Sequence, residues 1–371
     1  MFKFYFSLFV LSLHFLKGCT TSPHMPVDNK TSKATIQLYN YLFELREQGI
    51  MLGHQDALAY GHRWFGEENR SDVHDVVEDY PAVVGWEIGN LELGHLRNLD
   101  SVGFDDMRKY IQQTHKRGGI TTISWHGNNI LTGGNSWDCK DSIVVQEILP
   151  QGKFHNDYLG WLDKLAAFFL SLKDDSGRLI PVVFRPYHEN TGSWFWWGEK
   201  QCTPEDYKSL WHMTYRFFQG NSVNNLLYCY STSDLRDSLH FLERYPGDDV
   251  VDIIGFDCYV DGDGKSDNLR YYTESMKRNI DIVTEQANNR GKLAVIGETG
   301  YEGIKASDYF TKIMYPLIKD SRLSWVLFWR NAYEVDKPHH YYLPFKGHSA
   351  EQDFKDFISM KDILMNKDVL R

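Results

Sequence analysis

The sequence predicts an α/β chain folded as one (β/α)8 TIM barrel. Three observations predict it. Short apolar runs alternate with longer amphipathic stretches, the pattern of a parallel sheet joined by crossover helices. The runs number eight, the count that closes such a barrel. Nearly every run ends in a polar, charged or aromatic residue, as expected where a barrel carries its site at the carboxyl ends of its strands. A doubly wound open sheet is the alternative, but no Gly-rich dinucleotide fingerprint follows the first run.

In chain order the expected strands are residues 50–53, 82–86, 120–125, 180–184, 226–230, 253–256, 293–296 and 325–329. Each is short, apolar and rich in β-branched or aromatic residues. Helical patterns fall between them at 104–116, 158–172, 204–218 and 272–288. Pro204 fits a first helical position, Thr203 can cap it, and Glu205 and Asp206 suit the dipole. The strand ends read in order as His54-Gln55-Asp56, Glu87 with Glu92 soon after, Trp125-His126 and His188-Glu189. Then come Ser231 to Asp234, Asp257 to Tyr259, Glu298, and Trp329-Arg330-Asn331. No linker is visible after residue 33, so residues 34–371 are expected to form the single catalytic domain.

Residues 1–18 read as a lipoprotein-type signal peptide. A basic start at Lys3 precedes an apolar stretch over 4–15 that is too short to span a bilayer as a mature helix. Leu16-Lys-Gly-Cys19 resembles a lipobox, which makes Cys19 the expected lipidated residue; ordinary cleavage nearby is the alternative. Residues 19–33 are polar and Pro-containing and read as a tether. The protein is therefore expected to be exported and membrane-anchored only through lipid. No acidic run follows Cys19, so the periplasmic face is favoured over surface display.

The formal charge is −10 in 371 residues. That argues against a nucleic-acid binder, which usually carries a basic face, and suits an uncharged substrate. Aromatic residues make up 15%, including 11 Trp, an excess that suits sugar or aromatic ligands, with a large well-packed core as the alternative. Cys229 and Cys258 sit in strand-like runs and read as buried thiols, whereas Cys139 and Cys202 lie in loops and could pair. No Cys/His spacing resembles a zinc site.

The most informative stretch is Arg185-Pro-Tyr-His-Glu-Asn-Thr-Gly-Ser-Trp-Phe-Trp-Trp-Gly198. It delivers Arg, His and Glu at a strand end and then three Trp. A carboxyl can give or take a proton there, and indole faces stack on sugar rings. Gly297-Glu298-Thr-Gly300 ends the seventh run. The fourth and seventh strands lie on opposite sides of a barrel mouth, so Glu189 and Glu298 can face each other. Glycosidic cleavage needs such a pair, and a gap of about 5 Å gives retention where a wider one gives inversion.

These motifs, with Gly53-His-Gln-Asp56, Pro81-Ala-Val-Val-Gly-Trp-Glu87, Ser124-Trp-His126, Asp257-Cys-Tyr259, Phe328-Trp-Arg330 and the tail Tyr342 to His348, resemble glycoside hydrolase family 26. The resemblance runs from about residue 33 to the C-terminus. It implies retaining hydrolysis of β-1,4-mannosidic bonds in mannan, galactomannan or glucomannan. Glu189 would be general acid/base and Glu298 nucleophile. Two carboxylates suffice for this reaction, so no cofactor or metal is expected, and the chain is expected to be a monomer whose partner is its polysaccharide or oligosaccharide substrate. Arg185 and Tyr259 are the expected donors to Glu298, unless Arg185 pairs with another carboxylate. His188 would orient Glu189 or bind a sugar hydroxyl, unless it is a packed histidine. Trp125 and His126 would wall the subsite of the non-reducing sugar, Trp329 would lie under the sugar being cleaved, and Arg330 would reach a more distal one. Trp194 would line the leaving-group side, and Trp137 would stack on a distal sugar unless it packs in the core or on the surface. Trp196 and Trp197 cannot both face the cleft in an extended segment, so one is expected in the core.

Asn190-Thr191 departs from the family pattern, which leaves leaving-group specificity open. The endo and mannobiose-releasing modes are both open. So are a hydrolase of another β-glycan and a non-catalytic glycan-binding lipoprotein. Asp261-Gly-Asp-Gly264 superficially resembles a calcium loop but lacks its later Glu, so a plain turn is expected.

Overall fold

The computed structural model describes residues 24–260 and 268–370. Eight parallel strands close a barrel: β1 (Ile50–Gln55), β2 (Val83–Glu87), β3 (Ile120–Trp125), β4 (Val182–Pro186), β5 (Leu226–Thr232), β6 (Ile253–Val260), β7 (Leu293–Tyr301) and β8 (Leu323–Phe328). Each pairs with the next in sequence, and β8 returns to β1 with Met51 opposite Trp325. Several strands outrun their apolar runs at the carboxyl end, because polar residues continue the pleat into the mouth. The fourth strand starts at Val182 rather than at residue 180. Pro181 has no N–H to give a ladder, and the Ile180 N–H bonds back to Leu172 instead.

The side-chain period of two sorts the strands into two faces. Met51, Val83, Ile120, Val183, Leu227, Ile253, Leu293 and Trp325 form an inner core. Leu38, Leu42 and Phe43 of the helix Lys33–Arg46 join that core and close it from one end. Val84, Ile123, Phe184, Tyr228, Ile254 and Ile296 point outward and pack against the surrounding helices. Inward parity carries on to Glu87, Ser124, Arg185, Ser231, Asp257 and Trp329, which therefore reach the mouth.

Two of the expected helices begin at the residues anticipated for them. Pro204–Gly220 starts where Thr203 accepts from the Asp206 N–H. Phe104–Lys116 has the expected bounds. Residues 24–32, expected as tether, are partly packed down. The His24 ring stacks on Phe43, the Val27 N–H donates to Asp252, and Ser32 caps the helix that follows. Residues 1–18, Cys19 and residues 261–264, where a turn is expected, lie outside the described residues. Among the described residues no helix is long and apolar enough to cross a membrane.

Cys139 and Cys202 do not pair; all four described cysteines are free thiols. Cys202 is buried with its Sγ 3.0 Å from the Arg244 guanidinium, which also donates to the carbonyls of Cys202 (3.0 Å) and Trp197 (3.1 Å). Arg244 thus anchors the loop that carries the Trp cluster.

Candidate active site

Arg185, Asp257 and Glu298 meet at the mouth. Parity alone explains Arg185 and Asp257. Glu298 arrives through a bulge between β6 and β7: Phe256 is level with Ile296, but Asp257 is level with Glu298. The extra residue is Gly297, and a Cβ there would come within 2.5 Å of the Asp257 carboxylate. Bulges re-aim side chains beside active sites, and here one sets two carboxylates at the same height. The Arg185 guanidinium donates to both, to Asp257 at 2.6 Å and to Glu298. Tyr259 donates its O–H to the other Glu298 oxygen at 2.8 Å. Burial raises the Asp257 carboxyl well above the usual range, Arg185 opposes this, and Glu298 and Glu189 add to the rise. Arg185 therefore does both things the sequence left open.

Glu189 stands just beyond β4. Its φ is +53° and that of Tyr187 is +49°, an alternation that swings the chain out of the strand at a conformational cost typical of functional sites. Its Oε2 accepts from the Trp194 indole N–H, leaving Oε1 for a proton. Burial and the nearby Glu298 push its pKa to about 7, against pulls from the Trp194 bond, His126 and Arg185. It is poised to give a proton near neutral pH.

His188 is fully buried, and its Nε2 lies 3.2 Å from Nε2 of His126. The His126 ring stacks on Trp137 with centroids 5.2 Å apart, and Trp329 meets it edge-on at 6.5 Å. Trp137 is half-exposed, so His126, Trp137 and Trp329 line one wall of the cleft. Past Glu189 the cleft opens into a cavity of about 450 Å³ lined by Trp194, Ser233, Asp234, Tyr259 and Tyr271. Trp194 and Tyr271 are 46% and 58% exposed there, and the Arg270 guanidinium covers one face of the Tyr271 ring at 5.2 Å, so the exposed indole and the other phenol face can meet sugar rings.

Two expectations are corrected. Trp125 does not wall the cleft. It is 1% exposed on the outer face of β3, with Tyr158 and Tyr187 as neighbours and its N–H on Glu92 at 3.2 Å. Trp196 and Trp197 are both core, because the segment is turned rather than extended and alternation does not apply. Their N–H groups hold the carbonyls of Gly127 (2.9 Å) and His188 (2.8 Å), fixing the neighbouring loops. Arg330 follows Trp329 at the end of β8 and is held in place by carboxylates. It is 5% exposed, held by Asp100 at 3.1 Å and Glu334 at 3.3 Å, and it ties the loop after β2 to the loop after β8.

Asn190 and Thr191, flagged for specificity, are buried and bind the end of β5: Asn190 donates to the Ser231 carbonyl at 2.9 Å, and Thr191 accepts from the Ser233 N–H at 3.0 Å. Glu87 and Asp257 are site residues that sequence reasoning named as strand ends without giving them a role. His188, Asp257 and Glu298 offer ligand atoms within 4.8 Å of one another. Arg185 already supplies the cation to both carboxylates, so this trio is poorly suited to a metal ion.

A parallel (β/α)8 barrel whose mouth sets one proton-holding carboxyl against one doubly hydrogen-bonded carboxylate, between aromatic faces, defines a glycoside hydrolase. The glycosyl hydrolase family 26 model matches residues 27–314, and the chain belongs to that family. It is 31% identical over 336 residues to a mannan endo-1,4-beta-mannosidase of Bifidobacterium adolescentis, covering 84% of this chain and 33% of that protein. The chain thus spans about a third of that relative's length. It is 27% identical to the mannan endo-1,4-beta-mannosidase of Bacillus subtilis, covering 66% of this chain and 68% of that one. A solved family 26 beta-mannanase from Bacteroides ovatus superposes with a TM-score of 0.88 at 40% identity, covering 92% of this chain and 98% of that chain.

Proposed function

We propose that this protein hydrolyses β-1,4-mannosidic bonds of mannan, galactomannan or glucomannan with retention of anomeric configuration. The opposed surroundings of Glu189 and Glu298 carry the chemistry, and the mannanases it resembles carry the substrate. Glu298 attacks the anomeric carbon as the bond to the leaving sugar breaks, and Glu189 gives its proton to the departing oxygen. Water entering on the same side then gives a proton to Glu189 and attacks the glycosyl ester, freeing Glu298. Arg185 and Tyr259 hold the nucleophile during both steps. Trp329, His126 and Trp137 flank the sugar that becomes bonded, and Trp194 and Tyr271 receive the leaving chain.

The test is hydrolysis of linear mannan, galactomannan, glucomannan, β-1,3-xylan and mixed-linkage glucan, with product sizes followed in time. Manno-oligosaccharides are expected from the mannans. A spread of sizes from the outset marks internal cleavage, and mannobiose alone marks action at chain ends. Activity on xylan or glucan only would overturn the substrate, and silence on all five would overturn the enzyme.

The N-terminal sequence supports export and lipid anchoring at Cys19. Metabolic labelling with palmitate should mark the wild type and not Cys19→Ala.

A further inference from the structure

Glu87 ends β2 with no exposure to solvent, and it has no part in either proton or bond transfer of the proposed reaction. A buried carboxylate is costly unless donors and a countercharge surround it. Its Oε1 accepts from the backbone N–H groups of Gly89 and His126, the latter at 2.8 Å. Its Oε2 accepts from Ser124 Oγ at 2.9 Å and lies 2.6 Å from His126 Nδ1. Among the described residues no Lys or Arg forms an ion pair with it; the one group that can supply a positive charge is the His126 ring.

Proton counting then decides the ring states. His126 Nδ1 faces a carboxylate, so it carries a hydrogen. His126 Nε2 faces His188 Nε2 at 3.2 Å, and one hydrogen must lie between them. It belongs either to a cationic His126 or to a neutral His188. Two features favour His126. Glu87 supplies a buried negative charge to one imidazole, while Arg185 places a positive charge near the other. The stacked indole of Trp137 adds a favourable face for a cation. The charged and titratable groups around His126 are Glu87 at the end of β2, Asp100 in the loop after it, Arg185, His188 and Glu189 at the end of β4, and Glu298 on β7.

We propose that Glu87 is a positioning residue that keeps His126 an imidazolium while the enzyme works, so that a fixed positive charge stands beside both catalytic carboxylates and His188 accepts at Nε2 and carries its hydrogen on Nδ1. The shifts agree. Burial disfavours a charged His126, but the Glu87 charge and hydrogen bond, together with Glu298 and Glu189, outweigh it. Burial, Arg185 and His126 together drive His188 far down. His126 in turn draws down Glu189, which would otherwise hold its proton to still higher pH.

The kinetic part of this inference rests on the hydrolase reading; the spectroscopic part does not. In the full chain labelled with 15N-histidine, the ring nitrogens of His126 are followed by NMR against pH, assigned by His126→Gln. The wild type should show His126 protonated on both nitrogens at pH 7.5 and Glu87→Gln should show it protonated on one. A singly protonated His126 in the wild type overturns the proposal, whether or not Glu87→Gln folds. Kinetically, the high-pH limb of kcat/KM should move up by about half a unit or more in Glu87→Gln, because a cation near Glu189 has been lost. Removal of a negative charge alone would move it down, so a downward shift or no shift also overturns the proposal. If the wild type cleaves no glycan, the hydrolase reading falls and the NMR result still decides this one.

Discussion

The ends of β4 and β7 present the same side chain to one cleft in opposite settings. At β7, Glu298 is met by a guanidinium and a phenol, one on each oxygen. At β4, Glu189 has an indole N–H on one oxygen and burial around the other, and its pKa stands at about 7. The lesson is that role follows from surroundings rather than residue type. A carboxylate with both oxygens occupied by donors is an anion ready to attack. A carboxyl with one oxygen free of donors keeps a proton to give.

The largest effect should come from removing the β7 side of that contrast. Glu298→Ala should lower turnover of mannan by about 10⁴-fold or more, while calorimetry still detects manno-oligosaccharide binding. Substantial residual hydrolysis would place the nucleophile elsewhere. Next, Glu189→Ala should lose about 10²–10⁴-fold on polysaccharide, and much less on aryl glycosides whose leaving group needs no proton. Equal losses on both would break the asymmetry between the two ends. Tyr259→Phe removes one of the two donors to Glu298 and should cut kcat by roughly 10- to 100-fold, the worth of one hydrogen bond to a charged group, with little change in KM. A change confined to KM would make Tyr259 a binding residue instead.

The smallest effect is on stability, and its sign is opposite to that of the activity losses. Glu189 has a folded pKa of about 7, above its ordinary value of 4.5. Ionising it therefore costs the folded state nothing below about pH 4, progressively more as pH rises to 7, and a constant amount beyond. Glu189→Gln should thus be more stable than wild type at pH 8, by on the order of 3 kcal/mol at most, with the gain fading towards pH 4. Denaturation curves at the two pH values check this, and a variant less stable at pH 8 would contradict the shift.

The barrel was legible because eight apolar runs are hard to place otherwise, and the strand ends because period-two parity extends past them. That parity was also the available signal for two residues read too loosely. Trp125 shares the outward face of Ile123, and Glu87 shares the inward face of Val83. Glu298 breaks the rule, since the bulge at Gly297 shifts it by one, and its place at the end of the seventh apolar run, not its parity, pointed to the mouth. Trp196 and Trp197 were misjudged because alternation was applied to a turn. The Arg330 ion pair with Asp100 joins loops 230 residues apart in sequence, and no local pattern announces such a contact.

The most direct test of the division of labour is to trap the bonded sugar. The enzyme is inactivated with a 2-deoxy-2-fluoro mannosyl fluoride bearing a second mannose, then digested and sequenced by mass spectrometry. The label should sit on Glu298 alone. A label on Glu189, or rapid turnover to an inverted product with no label, would contradict the assignment of nucleophile and acid to these two strand ends.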